Sequence, residues 1–191
     1  MTKFKLGLIV GSNRRDSINR ALAQALEKLG ADKFNASIIR IDDLPLYNQD
    51  LEAALPEPVV RFKSHITDVD ALLFVTPEHS RSIPAVLKSA IDWGARPWGQ
   101  NSWTGKLAAV TGTSPGAIGT AVAQQHLRSV LGDMGVLVMG GEAYITFQPE
   151  LVDANNNITD ESVRKFLKAL LDQLAALTAK LTGQLAPRAA A

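Results

Sequence analysis

Ten residues near the amino terminus, Gly11-Ser12-Asn13-Arg14-Arg15-Asp16-Ser17-Ile18-Asn19-Arg20, place two hydroxyls, two amides and three arginines together. They lie between an apolar run, Leu6 to Val10, and a helix-like run that begins Ala21-Leu22-Ala23. A strand that passes into a helix through such a loop can hold an anion. The first N–H groups of the helix have no partners of their own, and the positive end of its dipole falls at the same spot. Ser12, Ser17 and Asn19 can add side-chain hydrogen bonds, and Arg14 or Arg15 can add charge. These residue types suggest a bound phosphate. The loop is not a Walker A motif, since no Gly-Lys-Ser/Thr follows. Nor is it the dinucleotide fingerprint, since the second and third glycines are missing. As an ordinary turn, the same loop would use Ser17 as an N-cap.

Two further loops carry residues of interest. Thr76-Pro77-Glu78-His79-Ser80-Arg81-Ser82-Ile83-Pro84 is bracketed by prolines. Prolines restrict the backbone, so N–H and C=O groups can be held out toward the edge of a heterocycle. His79 invites an acid–base role. It has no local partner besides Glu78, so none is assigned. Gly112-Thr113-Ser114-Pro115-Gly116 matches the Gly-x-Ser-x-Gly nucleophile elbow. Two points count against a hydrolase. The residue after the serine must lend an N–H to the oxyanion hole, and Pro115 has none. The only downstream histidine is His126, with no acid between it and Ser114. A glycine- and hydroxyl-rich loop suits close backbone approach to a flat ring or a ribityl chain. His65, His79 and His126 are scattered without ligand spacing, so no metal site is expected.

The elements that must position these loops follow from hydrophobic patterning. Apolar runs at Leu6 to Val10, Ala36 to Ile41, Ala71 to Val75, Leu107 to Thr111 and Val136 to Met139 predict five strands. Helical periodicity predicts helices at Ile18 to Leu29, Val59 to Thr67, Pro84 to Trp93, Ile118 to Leu131 and Asp160 to Leu181. Strands alternating with helices give a doubly wound parallel α/β sheet covered on both faces. Pro84 suits a first helical turn, and Thr159 or Asp160 can cap the last helix. In that helix Val163, Phe166, Leu167, Leu170, Leu171 and Leu174 form the apolar stripe. Trp93, Trp98 and Trp103 read first as packing at the end of the third helix, with a wall over an aromatic ligand as the alternative. Such sheets bind ligands beyond the carboxyl ends of their strands, at the switch point of strand order. The three loops above follow strands 1, 3 and 4.

Composition narrows the function classes. The chain has 191 residues, 20 Lys+Arg against 19 Asp+Glu, and no cysteine. One domain over 1–182 is expected, with a disordered Ala-rich tail at 183–191. A chain of this size buries roughly 70% of its unfolded surface, enough for a core without disulfides. The near-neutral charge argues against a nucleic-acid partner. No run approaches the ~20 apolar residues of a membrane span, and no signal-peptide pattern opens the chain. A cytoplasmic protein is expected.

Three motifs together resemble a known family. Gly11-Ser12-x-Arg14-x-x-Ser17-x-Asn19 resembles the phosphate loop of the NAD(P)H-dependent FMN reductases, which include quinone, chromate and azo-dye reductases. Thr76-Pro77-Glu78 with Ser82-Ile83-Pro84 through Asp92-Trp93 is similar to that family's second signature. Thr113-Ser114-x-Gly116-x-Ile118-Gly119, followed by His126-Leu127-Arg128, is similar to its third. The likeness spans Leu6 to Leu181. It implies a flavodoxin-like five-stranded sheet of order 2-1-3-4-5, noncovalent FMN, NAD(P)H as cosubstrate, and a homodimer or homotetramer. It implies that Ser12, Arg14, Ser17 and Asn19 hold the FMN phosphate, with Ile18 beside it through its backbone. Pro77 and Glu78 would lie along the isoalloxazine edge, with His79, Ser80 and Arg81 next along the loop. Ser114 and Gly116 would contact the ring from the third loop. The family commonly has Glu-Tyr-Asn where this chain has Glu78-His79-Ser80, and a small residue where Asp16 stands. The chemistry belongs to the flavin, so no protein side chain is expected to be catalytic. The alternatives are a flavodoxin-like electron carrier or a flavin-binding regulatory protein without nicotinamide turnover. Carriers are usually strongly acidic, and this chain is not.

Overall fold

The structure, a computed structural model, describes residues 3–183. Apart from Gly183, the tail expected to be disordered lies outside the described residues. Strands β1 (Phe4–Val10), β2 (Phe34–Ile38), β3 (Ala71–Val75), β4 (Leu107–Ser114) and β5 (Leu137–Val138) form a parallel sheet in the order β2-β1-β3-β4-β5. The chain moves outward from β1 to β2, then returns past β1 to β3. The crevice between β1 and β3 is therefore the switch point.

Helices α1 (Ile18–Leu29) and α5 (Glu161–Leu181) cover one face; α2 (Glu57–Asp68), α3 (Ala85–Ala95) and α4 (Ala121–Asp133) cover the other. Strand alternation divides the core accordingly. Leu6, Leu8, Leu73 and Ala109 pack toward α1 and α5, whereas Ile9, Leu72, Phe74 and Val110 pack toward α2, α3 and α4. Both faces are covered, so the central strands are apolar throughout. Ser17 caps α1, its Oγ accepting the Arg20 N–H at 3.3 Å. Asp160 caps α5 by accepting the Val163 N–H at 2.9 Å. Pro84 sits at the N-cap of α3.

Several expectations shift. A sixth strand, β6 (Tyr144–Thr146), pairs with the far half of β4, so two short strands share that edge. Gly140 and Gly141 separate them and break the apolar pattern. β2 begins two residues before the predicted run because its register with β1 opens at Phe4↔Phe34. Ile39 and Ile41 stay buried past the strand end. α4 starts at Ala121 instead of Ile118, since Gly119 turns with φ +58° and leaves Ile118 exposed. A 3-10 helix at Gln49–Ala54 was not predicted. Phe166 is exposed: Val163, Leu167, Leu171 and Leu174 follow the inward stripe by steps of three and four, and Phe166 sits one position off it.

The tryptophans do not form one wall. Trp93 and Trp103 are fully buried, and their ring N–H groups donate to Pro45 and Ile91 carbonyls at 2.8 Å. A Cβ on Gly94 would lie 2.3 Å from the Trp103 ring, so the helix needs glycine there to admit it. Trp98 is 88% exposed, beside Tyr47 and Arg96, away from the three loops.

Candidate functional site

The loops after β1, β3 and β4 meet around a cavity of about 520 Å³, within the ~300–1,000 Å³ typical of small-molecule sites. Ser12, Arg14, Ser17, Ile18, Asn19, Pro77, Glu78, His79 and Ser114 line it. Ser80, Arg81 and Gly116 line an adjoining hollow that shares Glu78 and Ser114. Every residue that the family resemblance nominated therefore falls in one of two contiguous depressions at the carboxyl edge of the sheet.

The first loop wraps the head of α1. Ser12 Oγ accepts the Arg14 N–H at 3.3 Å, which curls the chain over the helix start. Ser17 Oγ takes the Arg20 N–H. That leaves the N–H groups of Ile18 and Asn19 without an intrahelical partner at the mouth of the cavity. Arg14 stands exposed beside them. Arg15 and Asp16 are exposed at a turn and do not line the cavity. The acid in the loop thus faces solvent and leaves the cradle electropositive.

The loop after β3 is a tight hairpin. His79 and Ser82 exchange backbone hydrogen bonds at 3.0 and 2.9 Å, and Ser80 and Arg81 at its tip have φ of +50° and +61°. This is the conformation that a two-residue hairpin needs. The Glu78 carboxylate is buried. It accepts the Ala123 N–H at 3.0 Å, capping α4 from outside, and the Arg81 guanidinium at 2.7 Å. Burial opposes its ionisation, but the Ala123 N–H and Arg81 outweigh that and hold its pKa below the ordinary value. Ser82 Oγ and His126 Nδ1 lie 2.9 Å apart and tie the hairpin to α4.

The loop after β4 does not make a serine nucleophile. Ser114 Oγ donates to the Gly119 carbonyl, and His126 is bonded to Ser82, not Ser114. Gly112 permits close passage of the strands: a Cβ there would lie 2.0 Å from the Thr76 carbonyl oxygen. Three contributors went unnominated. Thr113 is buried with its Oγ1 unpartnered, and it lines the cavity. Its signal was its place inside Gly-Thr-Ser-Pro-Gly, where strand alternation aims it toward α1. Val86 and Ala85, at the start of α3, add an apolar wall.

This donor set fits a phosphate with an attached flat heterocycle. Unpaired N–H groups, hydroxyls and Arg14 gather at one end; Pro77, Pro84, Val86 and Pro115 flank the rest; and Thr113 Oγ1 awaits a polar partner. Among the described residues, no group of three or more His, Cys, Asp or Glu side chains is arranged to hold a metal, and no helix is long and apolar enough to cross a membrane.

Known proteins agree with this geometry. Residues 4–150 match the NADPH-dependent FMN reductase family. A 2-hydroxy-1,4-benzoquinone reductase of Burkholderia sp is 49% identical over 174 residues, covering 91% of this chain and 95% of that protein. A quinone reductase of Pseudomonas putida is 46% identical, covering 90% and 93% respectively. The solved structure of FerB, a flavoenzyme NAD(P)H:(acceptor) oxidoreductase from Paracoccus denitrificans, superposes with a TM-score of 0.89 at 45% identity, covering 93% of this chain and 98% of that one. With a family model matched over residues 4–150 and relatives of nearly half identity across its length, the chain belongs to the NADPH-dependent FMN reductase family.

Proposed function

We propose that the cavity at the head of α1 seats FMN, and that the enzyme passes electrons from NAD(P)H to quinones or similar small acceptors such as chromate, azo compounds or free flavin. Bound there, FMN supplies the hydride and electron-transfer chemistry. The Ser12 and Ser17 hydroxyls, Arg14 and the N–H groups of Ile18 and Asn19 hold the phosphate. Pro77 and the backbone of Glu78 line the ring edge, with Thr113 and Ser114 on the β4 side. His79, Ser80, Arg81 and Gly116 border the mouth, where NAD(P)H and the acceptor have access. No residue is assigned as acid or base.

One observation carries this reading. The open head of α1, with the only acid of its loop turned to solvent, empties into a proline-flanked slot at the switch point of the sheet. The quinone reductases of Burkholderia sp and Pseudomonas putida support the acceptor class. Family resemblance supports a cytoplasmic homodimer or homotetramer, which light scattering on a sizing column tests. The purified protein should be yellow and should oxidise NAD(P)H when a benzoquinone is added. A colourless protein that binds no FMN at micromolar concentration would defeat the reading. A protein that binds FMN yet stays oxidised on rapid mixing with NADPH and NADH would be a carrier instead.

A further inference from the structure

Asn19 lines the cavity, but its side chain is engaged elsewhere. Nδ2 donates to the Thr113 carbonyl at 2.9 Å, and Oδ1 accepts the Thr113 N–H at 2.9 Å. Both residues are 1% exposed. The sheet explains why this pair is needed. The register of β3 on β4 ends at Val75↔Thr111, and the Thr76 N–H donates to the Thr111 carbonyl, so Thr111 faces β3. Alternation turns Thr113 the same way. The next pair would set Thr113 against the Thr76 carbonyl and the Glu78 N–H, but β3 has ended at Val75 and the chain turns away through Pro77 into the hairpin. Ser114 faces β6, its carbonyl accepting from the Phe147 N–H. The polar groups of Thr113 would be buried without partners, and the Asn19 carboxamide stands where the next residue of β3 would have been. A carboxamide supplies one donor side and one acceptor, which a carboxylate or a hydrocarbon cannot.

We propose that Asn19 is a positioning residue whose carboxamide bolts the first turn of α1 to the end of β4, and not a side-chain ligand of the phosphate. The bolt fixes the spacing between the phosphate cradle and the ring-side loop. Ser17 and Ile18 directly precede Asn19, and Ser114 and Pro115 directly follow Thr113, so both walls of the cavity hang from it. It also holds the unpartnered Thr113 hydroxyl at the cavity. The proposal rests on the FMN reading above and deepens it.

The test compares FMN with riboflavin, which lacks the phosphate, on the full-length protein. A phosphate ligand loses affinity for FMN alone; a bolt loses it for both flavins by one factor. Arg14→Ala is the phosphate control and should weaken FMN while sparing riboflavin. Asn19→Ala should weaken both about tenfold, the scale set by unpairing buried backbone groups. Asn19→Ser enters the same comparison should the alanine variant fold poorly. Once saturated with FMN, the Asn19 variant should show altered visible circular dichroism of the flavin. Leu174→Ala, a core truncation on α5, should leave that spectrum as in the wild type. In flavin-free protein, exchange of the Thr113 amide should quicken about tenfold in the Asn19 variant. A loss confined to FMN, or unchanged Thr113 exchange, overturns the bolt. A wild type that binds neither flavin overturns the FMN reading instead, and Thr113 exchange then decides the bolt by itself.

Discussion

Replacing Glu78 with Gln removes one charge and almost no volume from the loop that borders the ring side of the cavity. In the wild type the carboxylate is 7% exposed and caps α4 through the Ala123 N–H at 3.0 Å. A hydrogen bond to a charged group contributes ~1.5–3 kcal/mol against ~0.5–1.5 for a neutral one, so the substitution costs about 1 kcal/mol there. The lost charge at a helix N-terminus adds ~0.3–1 kcal/mol. The Arg81 pair adds little, ~0–1 kcal/mol, because the Arg81 side chain is 68% exposed. The sum is about 2 kcal/mol. For a chain of this length that is a fall in Tm of about 4–8 °C. The sign with pH follows from the depressed pKa. Such a group stabilises the fold above its unfolded pKa of ~4.3, and its contribution is lost as pH falls through the folded value. The gap in Tm between wild type and Glu78→Gln should therefore be full at about pH 7 and shrink as pH falls through the depressed folded pKa, below about 4. Other carboxylates titrate equally in both proteins and cancel in the difference. Melting curves of the two flavin-free proteins decide it: coincident curves at neutral pH, or a gap that widens in acid, would refute the capping role.

Gly112→Ala should cost about 3 kcal/mol, or about 6–12 °C in Tm, because its Cβ would press on backbone that cannot rotate away; a loss under about 1 kcal/mol would mean that β3 and β4 separate easily. Ser80→Gly should stabilise the fold by about 1 kcal/mol, since serine at φ +50° carries left-handed strain that glycine does not; calorimetry showing no gain would argue against that turn. Ser17→Ala should act twice, lowering Tm by about 2–4 °C through the lost cap and weakening FMN in a fluorescence titration. Weaker FMN with unchanged Tm would leave Ser17 as a ligand alone.

The layered fold was legible because burial on both faces forces near-continuous apolar strands, and Leu6 to Val10 and Ala71 to Val75 could hardly be anything else. The edges were less legible. β2 and β5 pair on one side only, so register, more than composition, sets their bounds: Phe34 enters the sheet because Phe4 lies opposite. β6 escaped notice because Tyr144-Ile145-Thr146 is too short to show a period, and its partner is the overhang of β4, which no local pattern announces. The true start of α4 was hidden in the same way. Ile118 fits the helical spacing, and only the positive φ of Gly119 ends the loop beyond it.

The site divides along a different line. Residue types pointed to the three loops that the fold brings together around the cavity, because phosphate and ring contacts draw on glycine, hydroxyls, amides and arginine. They did not reveal which of those groups face a ligand and which hold the loops together, because both tasks use the same chemistry. Asn19 fastens α1 to Thr113, Glu78 fastens the hairpin to Ala123, Ser82 and His126 close the same gap, and the Gly11 N–H reaches the Val75 carbonyl. Each brace runs from one loop to a different strand or helix. The three loops are therefore braced into one frame. Among the described residues, the groups this frame leaves open to the cavity include two N–H groups, two serine hydroxyls, Arg14 and the unpartnered hydroxyl of Thr113. Substitutions at the braces should therefore disturb flavin binding as much as substitutions at the ligands.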